Sequence, residues 1–454
     1  MSLDARTQQA PPVREIDDLV RTFAERERPR PDWKVGLEHE KLAARAGGTE
    51  PLTYDGPQGV AAVLRSFSRF GYEPFLEEGR IIASQRTGLT VSIEPGGQIE
   101  LSGRPFADVH VVAAELDRHL DKCAELAREL DVVFLATGYR PWGTPETVPW
   151  MPKNRYHVMR PFLSARGRLA PDMMAMTASG QVSYDFSSAT DMGEKLRVAL
   201  GAQPAVTALL ANSPIVNGRD SGWKSYRVAV WEEVDPARSG LLPFAFEPGF
   251  VDDPYRRYTE WALDVPMVFL RREGRYLATG GRTFRAFLAE GLEGERATLA
   301  DWDDHLTTLF PEVRVKGVVE LRAADSVDAA HTKAFVALWK GILYDEDARS
   351  WAWDLVKDLD VPARRALMRD AGREGLAARL PGGRPLRALA QSLVDAAAHG
   401  LCRQRCCGQR GEDERVWLEP LRERAESGRS PADDALDAFR RGGAAALVKQ
   451  LRVA

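Results

Sequence analysis

Cysteine is scarce in this chain, with four among 454 residues. So few thiols exclude a disulfide framework and fit a reducing compartment. Positive charge is not in surplus either: 62 Lys and Arg stand against 66 Asp and Glu, for a formal net charge of -4. A nucleic-acid binder usually carries a basic footprint, so nucleic acid is not an expected partner. No apolar run approaches transmembrane length, and the opening stretch MSLDARTQQAPPVREIDDLV has no apolar signal core. No membrane association is expected. Asp4, Glu15, Asp17 and Asp18 argue against a transit peptide, so the expected compartment is the cytoplasm. GxGxxG, a Walker sequence, internal repeats and low-complexity tracts are all missing. What the chain does have is 44% hydrophobic and 28% charged residues, enough to bury a sizeable core in a soluble globular protein. Its length exceeds one ordinary domain and suits a large enzyme domain with a helical appendage.

The stretch VSIEPGGQIELSG, Val91 to Gly103, organises the reading. Glu94 and Glu100 flank a Pro95-Gly96-Gly97 turn, and the flanks alternate apolar and polar residues as half-buried strands do. Two acids on rigid strands beside glycine suit a hard cation with oxygen ligands. The competing reading is a surface hairpin with solvated acids. Upstream, Trp33 to Lys41 reads as a strand on which Glu38 and Glu40 share a face. Facing a core, two like charges need a cation; facing water, they cost little.

The rest alternates helices and strands. Val13–Arg28 and Pro57–Phe70 read as helices, and Tyr72–Leu76 and Arg80–Ser84 as strands. A long helix runs from Phe106 to Leu130, with Val109, Val112, Leu116, Leu120, Cys123 and Ala127 in one apolar stripe, followed by a strand at Val132–Gly138. Met151–Arg160 brings Lys153, Arg155 and Arg160 together with Tyr156 and His157; its arginines could grip a carboxylate or phosphate with two parallel hydrogen bonds, and the competing reading is an ordinary basic loop. Ala178–Phe186 reads as a strand, Asp191–Leu200 and Gln203–Leu210 as helical, Ser225–Trp231 as a strand carrying Arg227, and Asp264–Leu270 as extended. Phe310 onward reads as one strand that places Arg314, Lys316, Glu320 and Arg322 on a common face. From Thr332 the pattern is helical. Within it, His399, Cys402, Cys406 and Cys407 lack the paired spacing of a zinc site and read as incidental.

VGLEHEK, SIEPGGQIELSG, MPKNRYHVMR, QVSYDFSS, LDVPM and FPEVRVKGVVELRAAD follow one another in an order that resembles glutamate–cysteine ligases of the plant and proteobacterial type, from about Asp32 to about Asp347. The resemblance implies an α+β fold: a glutamine synthetase-like funnel of largely antiparallel β-sheet flanked by helices. It divides the chain into an N-terminal helical segment, 1–31, a catalytic domain, 32–347, and a C-terminal helical region packed on it, 348–454. It implies that the glutamate γ-carboxylate is activated by ATP as γ-glutamyl phosphate and then joined to the amine of cysteine, the first step towards glutathione. Glu38, Glu40, Glu94, Glu100 and Glu320 become metal-site acids for Mg2+, with Mn2+ as the alternative. Arg155, Arg227, Gln98, Gln181 and Val268 become substrate-binding residues. Arg314, Lys316 and Arg322 face the nucleotide phosphates, with Arg322 and Lys316 also assigned to catalysis. Glutamate, cysteine and ATP are the implied partners, in a monomer or homodimer.

Three departures stand out. Ala113 and Lys333 occupy the places of a regulatory cysteine pair in plant members, so a redox switch of that kind should not operate. Ser326-Val327-Asp328-Ala329 replaces a Gly-Gly-Pro-Trp stretch, and Val268 replaces a tyrosine. The last two would reshape the acceptor pocket, which leaves two rival readings: a γ-glutamyl ligase for a different amine, and an inactive regulator that binds nucleotide or amino acid.

Overall fold

A computed structural model describes residues 10–409 and 411–453. Asp4, invoked above against a transit peptide, lies outside them. The backbone is built on one large sheet. Its first seven strands are β1 (Val35–Arg45), β2 (Glu73–Glu77), β3 (Arg80–Arg86), β4 (Leu89–Ile93), β5 (Gln98–Ser102), β6 (Val132–Leu135) and β7 (Ser179–Tyr184). Three small pairs follow: β8 (Ile215–Val216) with β9 (Arg219–Asp220), β11 (Phe269–Arg272) with β12 (Arg275–Ala278), and β10 (Ser239–Gly240) with β13 (Phe310–Pro311). Then β14 (Val313–Val315) and β15 (Val319–Asp325) return to the large sheet. Its order is β14-β15-β7-β1-β5-β4-β3-β2, with β6 also on β1, and every pairing in it is antiparallel.

Helices α1 (Ile16–Ala24), α2 (Val60–Ser66), α3 (Val109–Leu130), α4 (Asn154–Ser164), α5 (Ala170–Met176), α6 (Ala189–Leu209), α7 (Tyr226–Glu232), α8 (Pro254–Asp264), α9 (Phe284–Glu290) and α10 (Leu299–Thr307) surround it. The C-terminal part is helical: α11 (Ala329–Leu343), α12 (Glu346–Asp354), α13 (Val361–Glu374), α14 (Leu386–Gln404), α15 (Glu419–Ser427) and α16 (Pro431–Leu451). No helix among the described residues is long and apolar enough to cross a membrane.

Strand parity decides which face of the sheet does what. On β1, Val35, Leu37, His39 and Lys41 are buried against the helical layer, while Gly36, Glu38 and Glu40 are half-buried on the opposite face. Helices α3 and α11 pack on the covered face. The stripe anticipated in α3 is the reason it docks: Val109, Val112, Leu116, Leu120, Cys123 and Ala127 are all buried. Asp108 starts this helix by accepting a hydrogen bond from the Val111 amide at 2.8 Å.

Four local expectations change. Ser225–Trp231 is not a strand: Arg227 lies on helix α7, and seven residues are too few for periodicity to separate the two states. The presumed basic loop is helical from Asn154 onward, so Arg155 sits in the first turn of α4. Asp191–Leu200 and Gln203–Leu210 are one helix, α6, which absorbs Pro204. The single strand from Phe310 is a hairpin, because Gly317 at φ 78° turns the chain between β14 and β15. Arg314 and Glu320 are therefore direct cross-strand partners, where the single strand had placed them six positions apart along one line.

Candidate active site

The open face of the sheet carries the acids. Glu40 on β1 lies opposite Glu100 on β5, Glu38 lies between Ser102 of β5 and Gln181 of β7, and Glu320 on β15 lies opposite Ser183 of β7. Glu94 enters from the β4–β5 turn, which is closed by Gly97 N–H donating to the Glu94 carbonyl at 2.9 Å. Gly96 in that turn tolerates no side chain: a Cβ there would stand 2.0 Å from the Ala175 carbonyl oxygen of α5. These residues line a cavity of about 380 Å³.

The carboxylate wall is short of positive charge. Burial, with Glu100 and Glu94 nearby, pushes the Glu40 carboxyl up to about 8. Glu40 accepts from the Ser179 amide at 2.6 Å and its hydroxyl at 3.2 Å; Glu100 accepts from Ser102 at 2.7 Å. Among the described residues Oε1 of Glu94 makes no hydrogen bond; the Lys153 ammonium stands 3.7 Å from it and the Tyr156 hydroxyl lies 3.5 Å from Oε2. Lys153 is itself buried, gives a hydrogen bond to the Ile93 carbonyl at 2.5 Å, and is pushed below the usual lysine range by burial. Among the described residues, no three Asp, Glu, His or Cys side chains form a metal-holding group on their own. Magnesium needs none: it is commonly held by one or two carboxylates plus phosphate oxygens and water. Glu40, Glu94 and Glu100 fit an ion completed by a bound phosphate.

Glu320 is different. Arg314 donates to it at 2.6 Å and Arg322 stands at 3.2 Å, and the two guanidiniums overcome its burial to hold its carboxyl well below the usual range. Its Oε2 is committed to the cationic wall.

That wall comes from four elements. Arg155 of α4 and Arg227 of α7 both reach the cavity, and each keeps an Nε without a hydrogen bond among the described residues. Arg227 Nη2 donates to the Arg322 carbonyl at 2.8 Å. Lys316 sits in the turn of the β14–β15 hairpin, its ammonium pushed down by burial and by Arg314. Arg322 donates to the Gln181 side-chain carbonyl, and Gln181 donates to the Ser179 hydroxyl at 3.1 Å. Behind the wall, buried Asp325 accepts from the Asn212 amide at 2.8 Å, the Ser213 hydroxyl at 2.7 Å and the Ser225 hydroxyl at 2.8 Å.

Two expected substrate contacts are relocated. Gln98 lines the cavity, but its amide group is spent on backbone: it receives from Gly96 N at 2.8 Å and gives to the carbonyls of Thr177 at 2.7 Å and Met174 at 3.2 Å. It holds the turn. Val268 does not reach the cavity; it is 1% exposed in the core, and Phe269 lines the site in its stead. Ser326–Ala329 also stays away: Ser326 donates to the Glu40 carbonyl at 2.5 Å, Val327 binds His39 Nε2 through its carbonyl, and Asp328 caps α11. His157, from the same MPKNRYHVMR segment, is exposed on the outer side of α4.

Several lining residues escaped sequence reading. Phe23 and Arg26 arrive from the first helical segment, Arg271 and Tyr276 from the β11–β12 pair, and Asp303 and Asp304 from α10. Arg26 stands 3.6 Å from Asp303, and Arg271 holds Asp304 through two hydrogen bonds at 3.1 and 3.3 Å. Only chain topology brings these segments together, so no local motif marks them. Tyr156 did have a signal: it lies inside the MPKNRYHVMR stretch, and its hydroxyl meets the Ile93 carbonyl at 3.2 Å.

The model of glutamate–cysteine ligase family 2 matches residues 34–450. The chain is similar to the chloroplastic glutamate–cysteine ligase of Brassica juncea, 38% identical over 436 residues, covering 93% of this chain and 80% of that protein. The corresponding enzyme of Nicotiana tabacum is 37% identical over 428 residues, with 93% and 79% covered. Among solved structures, a glutamate–cysteine ligase from Francisella tularensis in complex with AMP superimposes with a TM-score of 0.56 at 13% identity, over 92% of this chain and 87% of that one. That last likeness is one of fold. The curated relatives are chloroplastic by name, and this overturns the cytoplasmic expectation drawn from composition.

Proposed function

The chain belongs to glutamate–cysteine ligase family 2 and is a ligase of the first step of glutathione biosynthesis; from that premise we propose how its cavity divides the work. The carboxylate wall of Glu40, Glu94 and Glu100, with Glu38 beside it, holds magnesium, with manganese as the alternative. Bound there, the ion supplies neutralisation of phosphate charge. Arg314, Arg322 and Lys316 face the phosphates of ATP. Glu320 orients the two arginines, a role its ion pairs favour over metal ligation. Arg155 and Arg227, each with a free Nε, grip the α-carboxylate of glutamate. The fold relative from Francisella tularensis is in complex with AMP, in keeping with a nucleotide as a ligand of this fold.

The chemistry needs position more than covalent help. An oxygen of the glutamate γ-carboxylate attacks the γ-phosphorus, the bond to ADP breaks, and γ-glutamyl phosphate results. The cysteine amine then attacks its carbonyl carbon, phosphate leaves, and the amine gives up a proton. Arg314 and Arg322 sit where the transferred charge develops, and Gln181 keeps Arg322 aimed. We assign the catalytic part to residues 32–347 together with the cavity-lining end of the preceding helical segment, and the region from 348 to its cover.

One observation carries this reading: Glu40 and Glu100 oppose each other across two strands, with Glu94 beside them, facing a wall of arginines. Buried like charges need either a proton or a cation between them, and a magnesium ion bound here would take the place of the proton that burial and its neighbours draw onto Glu40. The test is ADP release from the purified protein with magnesium, ATP and glutamate, with and without cysteine, and the mass of the product. A cysteine-dependent rise with γ-glutamylcysteine is expected. Equal release with every acceptor, or none with any, overturns it.

A further inference from the structure

A second cavity, about 640 Å³, adjoins the catalytic one and shares with it the side chains of Arg227, Trp231, Phe310 and Arg322. Its walls are largely apolar, made by Trp261, Leu241, Leu242, Val234 and Met368. An apolar pocket with a few polar groups is the usual form of a small-molecule site. The charged side chains at its rim are mostly taken. Arg369 holds Glu232 at 2.9 and 3.1 Å, and Asp264 is held by Arg285 at 2.6 and 3.1 Å. Glu312, in the β13–β14 link, uses its backbone on Gly240 and Arg322, while its half-buried carboxylate and the exposed guanidinium of Arg365, on α13, have no side-chain hydrogen bond or ion pair among the described residues. One free carboxylate and one free guanidinium thus border an apolar chamber, a match for an ammonium and a carboxylate on one apolar body.

We propose that this cavity is a separate binding site for a zwitterionic amino acid with an apolar side chain, its ammonium on Glu312, its carboxylate on Arg365 and its side chain among Trp261, Leu242 and Met368. The site does not depend on the reaction assigned to the neighbouring cavity. Burial pushes the Glu312 carboxyl up to about 8; Arg365 opposes that and Glu232, itself paired with Arg369, adds to it. On the inner side Arg227 and Arg322 complete the charged surroundings. An ammonium ligand therefore draws a proton off Glu312 as it binds, and affinity rises with pH towards 8.

The probe is L-phenylalanine in calorimetric titration of the full chain, with N-acetyl-phenylalanine and phenylalanine methyl ester as controls. Saturable binding is expected at pH 8, at least tenfold weaker for both controls, and unaffected by Glu94→Gln. Glu312→Gln should weaken it at least tenfold. Ala237→Trp, an exposed rim position with room to fold, should block it. Absence of saturable binding overturns the proposal. So does strictly competitive displacement by L-glutamate, with the apparent dissociation constant rising in proportion to glutamate without levelling off, which would move the ligand to the catalytic cavity, or binding that survives both rim variants.

Discussion

Arg314 and Glu320 face each other across the β14–β15 hairpin, Nε to Oε2 at 2.6 Å, with both side chains nearly out of reach of water. This pair separates an acid that aims arginines from acids free to meet a metal. Glu320→Gln should therefore leave the magnesium concentration needed for half-maximal ADP release unchanged while lowering turnover. It should also cost roughly 3–5 kcal/mol of stability, because two arginines lose their buried counter-charge. Magnesium titration and thermal melts of the variant check both. A magnesium requirement raised tenfold would return Glu320 to the metal site.

Glu94→Gln is predicted to act in the opposite sense. Turnover should fall about a hundredfold, equivalent to about 3 kcal/mol of barrier, with circular dichroism unchanged. Glu94 is half-buried, and the buried Lys153 ammonium 3.7 Å from it keeps its hydrogen bond to the Ile93 carbonyl in the variant, so the fold should survive the loss of this charge. Full turnover in the variant would exclude Glu94 from the reaction.

For Arg227→Ala, the glutamate concentration at half saturation should rise about ten- to hundredfold while ATP binding is retained. The guanidinium also holds the Arg322 carbonyl, so Arg227→Lys serves as the comparison: a lysine lacks the planar fork and should recover little of the loss. Unchanged glutamate saturation would remove Arg227 from the substrate's carboxylate.

Acid should destabilise the fold through buried histidines. Burial drives His39 down to about 3 and His305 down to about 4. Below the ordinary histidine range the unfolded chain takes up protons that the folded one refuses, so stability falls as pH drops from about 6.5 towards 4. His305 hydrogen-bonds the Ala262 carbonyl at 2.8 Å and packs beside Phe284 and Trp302, away from the cavity. His305→Gln should flatten the acid limb of a denaturation series; an unaltered slope would place the effect elsewhere.

How far the chain could be read depended on the range of the physics. The acids were legible because a strand has period two: Glu38 and Glu40 project together, and a PGG turn brings Glu94 near Glu100. Family order then supplied the arginines. Contacts set by distant segments were not legible. Nothing in Gln98 itself shows that two carbonyls of the α5 region will absorb its amide, and nothing in Val268 shows that it points inward while Phe269 faces the site. The strand reading of Ser225–Trp231 failed because Val228 and Val230 are buried in a short helix as readily as in a strand. Gly317 was the missed punctuation that turns one strand into a hairpin.

Asp325 ties the end of β15 to the chain just ahead of α7, through Asn212, Ser213 and Ser225. Arg322 on the strand and Arg227 on the helix are thus mounted on one stiff plate, and that plate is the partition between the two cavities. Neither arginine can yield to a ligand on one side without moving on the other. Whatever free energy an occupant of the outer chamber takes from glutamate binding, glutamate must take from that occupant in equal measure, so the chain has a built-in route by which an amino-acid supply could be weighed against its own consumption of one.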